Sequence, residues 1–383
     1  MQKVQRALCC QVFAAAALSW IVGGSAAAET GVDPVSIHLH ENSVVARYPE
    51  RSYFLSVARA GKRLVAVGER GIVIVSDDNG VSWKQVSTPA DVTLTAVKFA
   101  TGQDGWAVGH MGIILHTTDG GLQWSRQMDG VEAAKMALST VEADVSAAGN
   151  PDDKTTKRKL RLAHQLVDDG PVKPFTDILA FDADTVTVVG AYNLVFSSED
   201  GGKTWRYRSE VIDNPRQYHI YGAVKTETGL LFDGEQGLIL ASAPESNQVG
   251  MAMSRLKSPY EGSFFGALQI HGNRVLVYGM RGKMFVTDDA GQNWQAVSIP
   301  GDISINCAAI MGDGIVVVGD RSGRLLASED QGATFHVVPS TGTTGINGLA
   351  EAEDGSMIMA TDAGMTRLPH SVLTNALTEG STK

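Results

Sequence analysis

The sequence predicts an all-β fold: a seven-bladed β-propeller of four-stranded blades, with a helical hairpin inserted between blades two and three. Three observations predict it. One unit of apolar run, tight turn, second apolar run and Asp-bearing loop recurs along the chain, its period is near 41 residues, and its turn occurs seven times. A period of that length with several short strands per repeat is a propeller signature, because a lone four-stranded sheet buries its two faces only against a neighbour on each side.

The unit is plainest in VAVGERGIVIVSDDNGVSW, WAVGHMGIILHTTDGGLQW, VTVVGAYNLVFSSEDGGKTW, VLVYGMRGKMFVTDDAGQNW and VVVGDRSGRLLASEDQGATF, which begin at Val65, Trp106, Val186, Val275 and Val316. LLFDGEQGLILASAPE at Leu230 keeps the runs and the turn without the Asp loop, and MIMATDAGMTRLP at Met357 keeps the turn and stops. The turn falls at Gly71, Gly112, Asn193, Gly237, Gly282, Gly323 and Gly364, spaced 41, 81, 44, 45, 41 and 41 residues apart. Glycine and asparagine best tolerate a left-handed backbone, so this position is read as needing φ > 0. The spacing of 81 is one repeat plus an insertion of about 40 residues.

In the second repeat, residues 94–99, 106–108, 113–116 and 124–126 read as strands A to D. The loop joining C to D is an Asp box, Ser/Thr-x-Asp-x-Gly-x-x-Trp/Phe. Asp78, Asp119, Asp200, Asp289 and Asp330 are expected to fold their carboxylates back onto nearby backbone N–H groups. Trp83, Trp124, Trp205, Trp294 and Phe335 then bury a ring between blades, each hiding on the order of 150–250 Å². These carboxylates repeat from blade to blade, whereas an active site occurs once, so their role is read as structural.

The last copy offers only three strands, 346–350, 356–360 and 365–368. Segment 36–48, with alternation around Val44 and Val45, is expected to pair with 365–368 and close the ring, removing a free edge. The chain thus divides into a signal peptide (1–28), a ring-closing segment (29–50), the propeller (51–370, insertion 130–173) and a tail (371–383).

The signal peptide rests on basic Lys3 and Arg6, an apolar run over 7–22 and the small residues Ala26-Ala27-Ala28. It places the mature protein in the periplasm. The apolar run is shorter than the ~20 residues of a spanning helix. Cleavage leaves 30 basic against 42 acidic residues, and such a surface repels phosphate backbones, so nucleic acid is excluded as a partner. It also leaves Cys307 as the one cysteine, which forms no internal disulfide.

Within 130–173, Val131, Ala134, Leu138 and Val141 lie at helical spacing, as do Leu160, Ala163 and Val167 after Thr155 as a cap. Gly149-Asn150-Pro151 separates the two helices. Lys154, Lys157, Arg158, Lys159 and Arg161 make a basic run in an acidic chain, read either as a solvated helix face or as a docking surface for an acidic partner or lipid headgroups. In a four-stranded meander the B–C turns and D–A connections share one face, with the C–D loops on the other. The insertion is a D–A connection. It therefore shares a face with Arg70, His110, Tyr192, Gln236, Arg281 and Arg321, the candidate partner-binding residues of the B–C turns. Arginine presents a planar fork of donors suited to a partner's carboxylates or carbonyls.

The run VGxxGxIxxSxDxGxxW resembles the photosystem II stability/assembly factor family of seven-bladed Asp-box propellers, over about residues 53–369. The resemblance implies a non-enzymatic binding protein for a membrane protein complex. Family members in photosynthetic cells bind newly made reaction-centre subunits with an arginine patch on one face, and relatives elsewhere are exported proteins, often beside exporters of the RND type. Arg70, Arg281 and Arg321 match the patch. His110, Asn193, Gln236 and Ala363 do not continue it, and the helical insertion departs from the basic pattern. A monomer without metal or cofactor is expected. The alternatives are a general interaction propeller or a sialidase-like glycoside hydrolase. A sialidase needs an arginine triad, a Tyr–Glu pair and an acid; its Arg-Ile-Pro opening motif is missing, and Tyr218, Tyr221 and Glu227 are the loose candidates. His38 and His40 could share a strand face as metal ligands, but no third ligand is nearby.

Overall fold

The computed structural model describes residues 39–148, 153–243, 252–339, 342 and 344–380. The expected signal peptide, His38 and the 149–151 linker lie outside them. Among the described residues, seven antiparallel sheets follow one another, six of four strands and one of three, each with its strands in sequence order. Strands A are Phe54–Ala60, Leu94–Phe99, Phe175–Ala180, Ile220–Lys225, Phe264–His271, Ile305–Ile310 and Ile346–Glu351. Each packs against the A strand of the next blade, and the seventh packs against the first, so the ring is closed.

All seven A–B pairs shift register near the start of strand A, for example between Phe54 and Ser56 and between Ile346 and Gly348. Such a bulge takes one residue out of the ladder and re-aims its side chain. In three blades the freed residue reaches the first strand-A carbonyl of the next blade: Thr95 Oγ1 donates to Phe175 O at 2.7 Å, Thr176 Oγ1 to Ile220 O at 2.6 Å, and Asn347 Nδ2 to Phe54 O at 3.0 Å. One local irregularity thereby becomes a stitch between blades.

The core follows the same periodicity. Among the described residues there are seven apolar clusters, one at each blade-to-blade interface. Trp124 packs with Val65 of blade one, Trp205 with Trp106 of blade two, Trp294 with Leu231 of blade four and Phe335 with Leu276 of blade five. Trp83 packs with Ile358 of blade seven.

The five Asp loops share one hydrogen-bond pattern. In blade one, Ser76 Oγ donates to Asp78 Oδ1 at 2.8 Å and accepts from Gly80 N at 2.9 Å, while Ser82 N and Oγ donate to the two Asp78 oxygens at 2.9 and 2.6 Å. Asp119, Asp200, Asp289 and Asp330 hold equivalent bonds. Gly80 sits at φ 80°, and a Cβ there would stand 2.7 Å from Ile358 Cδ1, so backbone angle and close approach both select glycine. In four junctions a side chain of one blade donates to a carbonyl of the next blade's Asp loop: Arg63 to Asp119 and Gly120, Gln127 to Gly201, Arg274 to Gln331 and Arg367 to Asn79.

Three expectations need correction. The described part of 36–48, residues 39–48, holds no strand and does not pair with 365–368, and among the described residues the seventh sheet stays three-stranded. Val45 is 94 % exposed, so its alternation with Val44 marks no buried strand. The segment runs instead beside blade one, where Gln85 bonds to the backbone of Val44 and Ala46, and Ser43 bonds to Thr88. The tail is largely a helix, His370–Gly380, whose Leu373 and Leu377 pack with Leu368 at the edge of blade seven. The insertion is the expected hairpin, α1 (Gly130–Ala148) and α2 (Lys154–Asp168), but the cap of α2 is Asp153, whose carboxylate accepts from Thr155 N and Thr156 N. Among the described residues no helix is long and apolar enough to cross a membrane.

Candidate functional site: the face of the B–C turns

In blades one to five the B–C turn is a tight three-residue turn ending at the position read as needing φ > 0. Gly71, Gly112, Asn193, Gly237 and Gly282 all lie between 63° and 71°. The residue before is also left-handed, and it is never glycine: Arg70 (51°), Met111 (56°), Tyr192 (55°), Gln236 (51°) and Arg281 (57°). An L side chain at that angle costs roughly 1–2 kcal/mol. Five blades accept this strain at one register, where Arg70, Tyr192, Gln236 and Arg281 are exposed and Met111 is half-buried against the core of blades one and two. His110 therefore stands one place before the strained position, which Met111 fills. The turn of blade six has the same length, with Arg321 at its first position as His110 is in blade two, and there the Asp320 carboxylate accepts from Ser322 N and Arg324 N at 2.8 and 3.0 Å.

The D–A connections meet these turns. Arg70 forks onto Asp91, just before blade two, with bonds of 3.1 and 2.9 Å. The pair opens on a cavity of about 280 Å³ lined by Arg70, Asp91, Val92, Thr93, His110 and Met111. Burial pushes the His110 imidazole below its usual range, favouring its neutral form. Arg281 and Arg321, on neighbouring blades, share one anchor: Arg281 N donates to Ser304 Oγ at 3.1 Å, and Arg321 N to Ser304 O at 3.0 Å. Both side chains are exposed. The arc continues to Tyr53, whose hydroxyl is raised by burial first and by Asp362 second, with Arg321 opposing.

The opposite arc is aromatic. Tyr192, 47 % exposed, has its ring 4.6 Å from His219, which is 5.9 Å from Tyr221, which is 6.0 Å from Phe265. Lys173 Nζ sits 4.1 Å over the Tyr192 ring. Gln236 Oε1 accepts from Tyr218 at 3.0 Å. Burial lowers the His219 pKa, against the Glu235 charge that raises it. Tyr221 and Phe265 are the residues freed by the strand-A bulges of blades four and five.

The structure thus groups Arg281 with Arg321, Arg70 with His110, and Tyr192 and Gln236 with the aromatic arc. Asp91, Met111, Ser304, His219, Tyr221 and Phe265 were not legible as members of this face. Asp91 and Ser304 lie in connections outside the repeating motif. The bulge that aims Tyr221 and Phe265 leaves no mark in the alternation. The glycosidase candidates do not assemble: Tyr221 and Glu227 stand at opposite ends of strand A of blade four, about 20 Å apart at ~3.3 Å per residue. His40 Nδ1 lies 3.1 Å from Arg126 Nη2.

The ring and its displayed turns define a closed repeat propeller that carries its distinctive side chains on one rim. The family described as "Photosynthesis system II assembly factor YCF48" matches residues 61–132 and 164–364, and the chain belongs to that family. The match breaks over 133–163, which is most of the helical hairpin. No curated protein matches the sequence. Among solved structures, the fold is similar to "YCF48 bound to D1 peptide" (TM-score 0.60, 17 % identity, 86 % of this chain and 96 % of that one). It is similar to YCF48 from Cyanidioschyzon merolae (0.60, 14 %, 86 % and 99 %) and to the WD40 propeller domain of Doa1 (0.56, 10 %, 86 % and 95 %).

Proposed function

We propose that the chain is a non-enzymatic, exported propeller that binds a subunit of a membrane protein complex with its B–C face and serves that complex as an assembly, stability or accessory factor. One observation carries the reading: four strained, exposed, non-glycine residues, Arg70, Tyr192, Gln236 and Arg281, stand at one register of one rim, where glycine would cost less. Strain of this kind persists where the side chain is used. Family membership and a similar solved structure holding a D1 peptide support a protein segment as the occupant. Arg281 and Arg321 would take its carbonyls or carboxylates, and the Tyr192–Phe265 arc its apolar side chains. The protein acts as a monomer in the periplasm after cleavage near residue 28, with neither metal nor cofactor. An RND-type exporter is a suitable complex.

Affinity capture from solubilised membranes tests this. The wild type should retain one membrane complex that the Arg281→Gln, Arg321→Gln variant loses. Equal capture by the variant, with loss on changing residues around the Asp loops, would move the binding surface to the other face.

A further inference from the structure

Most of the helical hairpin, residues 133–163, lies outside the segments that match the family. Its root abuts the B–C turn of blade two: a Cβ on Gly112 would meet Gly130 Cα at 2.6 Å. From there α1 passes over Arg206–Tyr207, the outer strand of blade three, and buries Ala133 and Ala137 in the core shared by blades two and three. The hairpin therefore lies along the rim of the B–C face.

Helix α2 covers α1 on one side only. Thr156, Leu160 and Ala163 fall on the covered side, Ala163 buried. At 100° per residue, Lys154, Lys157, Arg158 and Arg161 fall within one exposed arc on the opposite side. Lys159 lies away from that arc, towards the blade-three side, its charge acting on Glu210. The helix carries these five cations and a single acid, Asp168, at its last position, in a chain of formal net charge −10. The apolar side of α2 is already packed, so this face has charge to offer and no stripe to insert.

We infer that the exposed face of α2 docks the protein on an anionic lipid surface. The cations from Lys154 to Arg161 form a row about 10 Å long, at ~1.5 Å per residue. Such a row complements a diffuse sheet of phosphate headgroups better than the discrete carboxylates of a folded acidic partner. Near an anionic leaflet each cation strengthens binding about fivefold. The hairpin is rooted beside the turns of the B–C face, so docking would hold that rim near the bilayer. The inference rests on the proposed function for the meaning of that orientation and not for the lipid contact.

The test is sedimentation of the purified protein with vesicles of phosphatidylcholine alone or with about one third phosphatidylglycerol, at about 0.05 and 0.5 M salt. The wild type should bind the anionic vesicles at low salt and leave them at high salt. The Lys154→Gln, Lys157→Gln, Arg158→Gln, Arg161→Gln variant should bind at least ~100-fold more weakly. Its melting temperature should be unchanged, because all four side chains are exposed. The Arg281→Gln, Arg321→Gln variant should bind vesicles as the wild type does, which separates this inference from the partner-binding one. Equal affinity for neutral and anionic vesicles would overturn it, as would wild-type binding by the fourfold variant. Loss of an acidic protein partner by that variant, with no vesicle binding by the wild type, would assign the helix to a protein and overturn the lipid reading.

Discussion

Arg70 closes a two-bond fork on Asp91, Nε to Oδ1 at 3.1 Å and Nη2 to Oδ2 at 2.9 Å, and ties the turn of blade one to the entry of blade two. The Asp91 carboxylate is 3 % exposed and the arginine 58 %. The fork is therefore as much a brace as a display, unlike Arg281. Replacing Arg70 by methionine leaves the buried carboxylate short of two donors and should cost about 1–2 kcal/mol. Thermal unfolding should fall by about 1–3 °C. No change would mean that Asp91 is satisfied without Arg70.

Arg281 should behave in the opposite way. Its φ of 57° is unfavourable for any L residue but free for glycine, and its side chain is exposed. Arg281→Gly relieves roughly 1–2 kcal/mol of backbone strain and adds up to about 1 kcal/mol of unfolded-state entropy. The variant should melt at or slightly above the wild-type temperature while losing partner capture. A clearly lower melting temperature would show that the arginine is held for stability.

The Asp loops set the acid limb of stability. The Ser82 and Thr204 hydroxyls, as the largest cause, hold Asp78 and Asp200 at about 2, below the usual carboxylate value. With the folded-state pKa depressed, their contribution is complete above the unfolded value near 4 and fades as pH falls from there towards 2. Unfolding temperature should drop across that window. Asp78→Asn combined with Asp200→Asn should lower it at pH 6 and flatten the drop.

Asp233 works with the reverse sign. Neither of its carboxylate oxygens has a hydrogen-bond partner among the described residues, and burial first, then the charge of Asp177, pushes its pKa well above the ordinary range. Stability from a raised carboxyl is complete below the unfolded value near 4 and is lost as pH rises. Asp233→Asn, neutral at every pH, should gain stability over wild type from pH 5 to 8. Melting curves that coincide across that range would refute it.

The repeat was legible because its residues are dictated locally: a left-handed turn selects Gly71 and its equivalents, and the Asp78 loop needs its own hydroxyl and glycine partners within a few positions. What escaped depends on partners far along the chain. Gln85 captures Val44 and Ala46 from about 40 residues away, and nothing near Val44 announces it. Arg70 and Arg281 read alike in sequence, yet only one is braced, since Asp91 and Ser304 lie in connections with no repeat of their own. His110 opens its turn and Met111 carries the strain, a distinction of one residue that the alternation does not mark; Arg321 opens the turn of blade six in the same way.

The junction between blades seven and one is made of the parts used at the other interfaces. Asn347 reaches Phe54 as Thr95 reaches Phe175, and Arg367 holds Asn79 as Arg63 holds the loop of blade two. Among the described residues, the covalent link and the fourth strand of blade seven are missing there. The linear order of the blades is thus a choice of where to cut a circle. A permuted gene that joins the region after blade seven to the region before blade one, and opens between blades four and five, should encode the same molecule with its ends relocated.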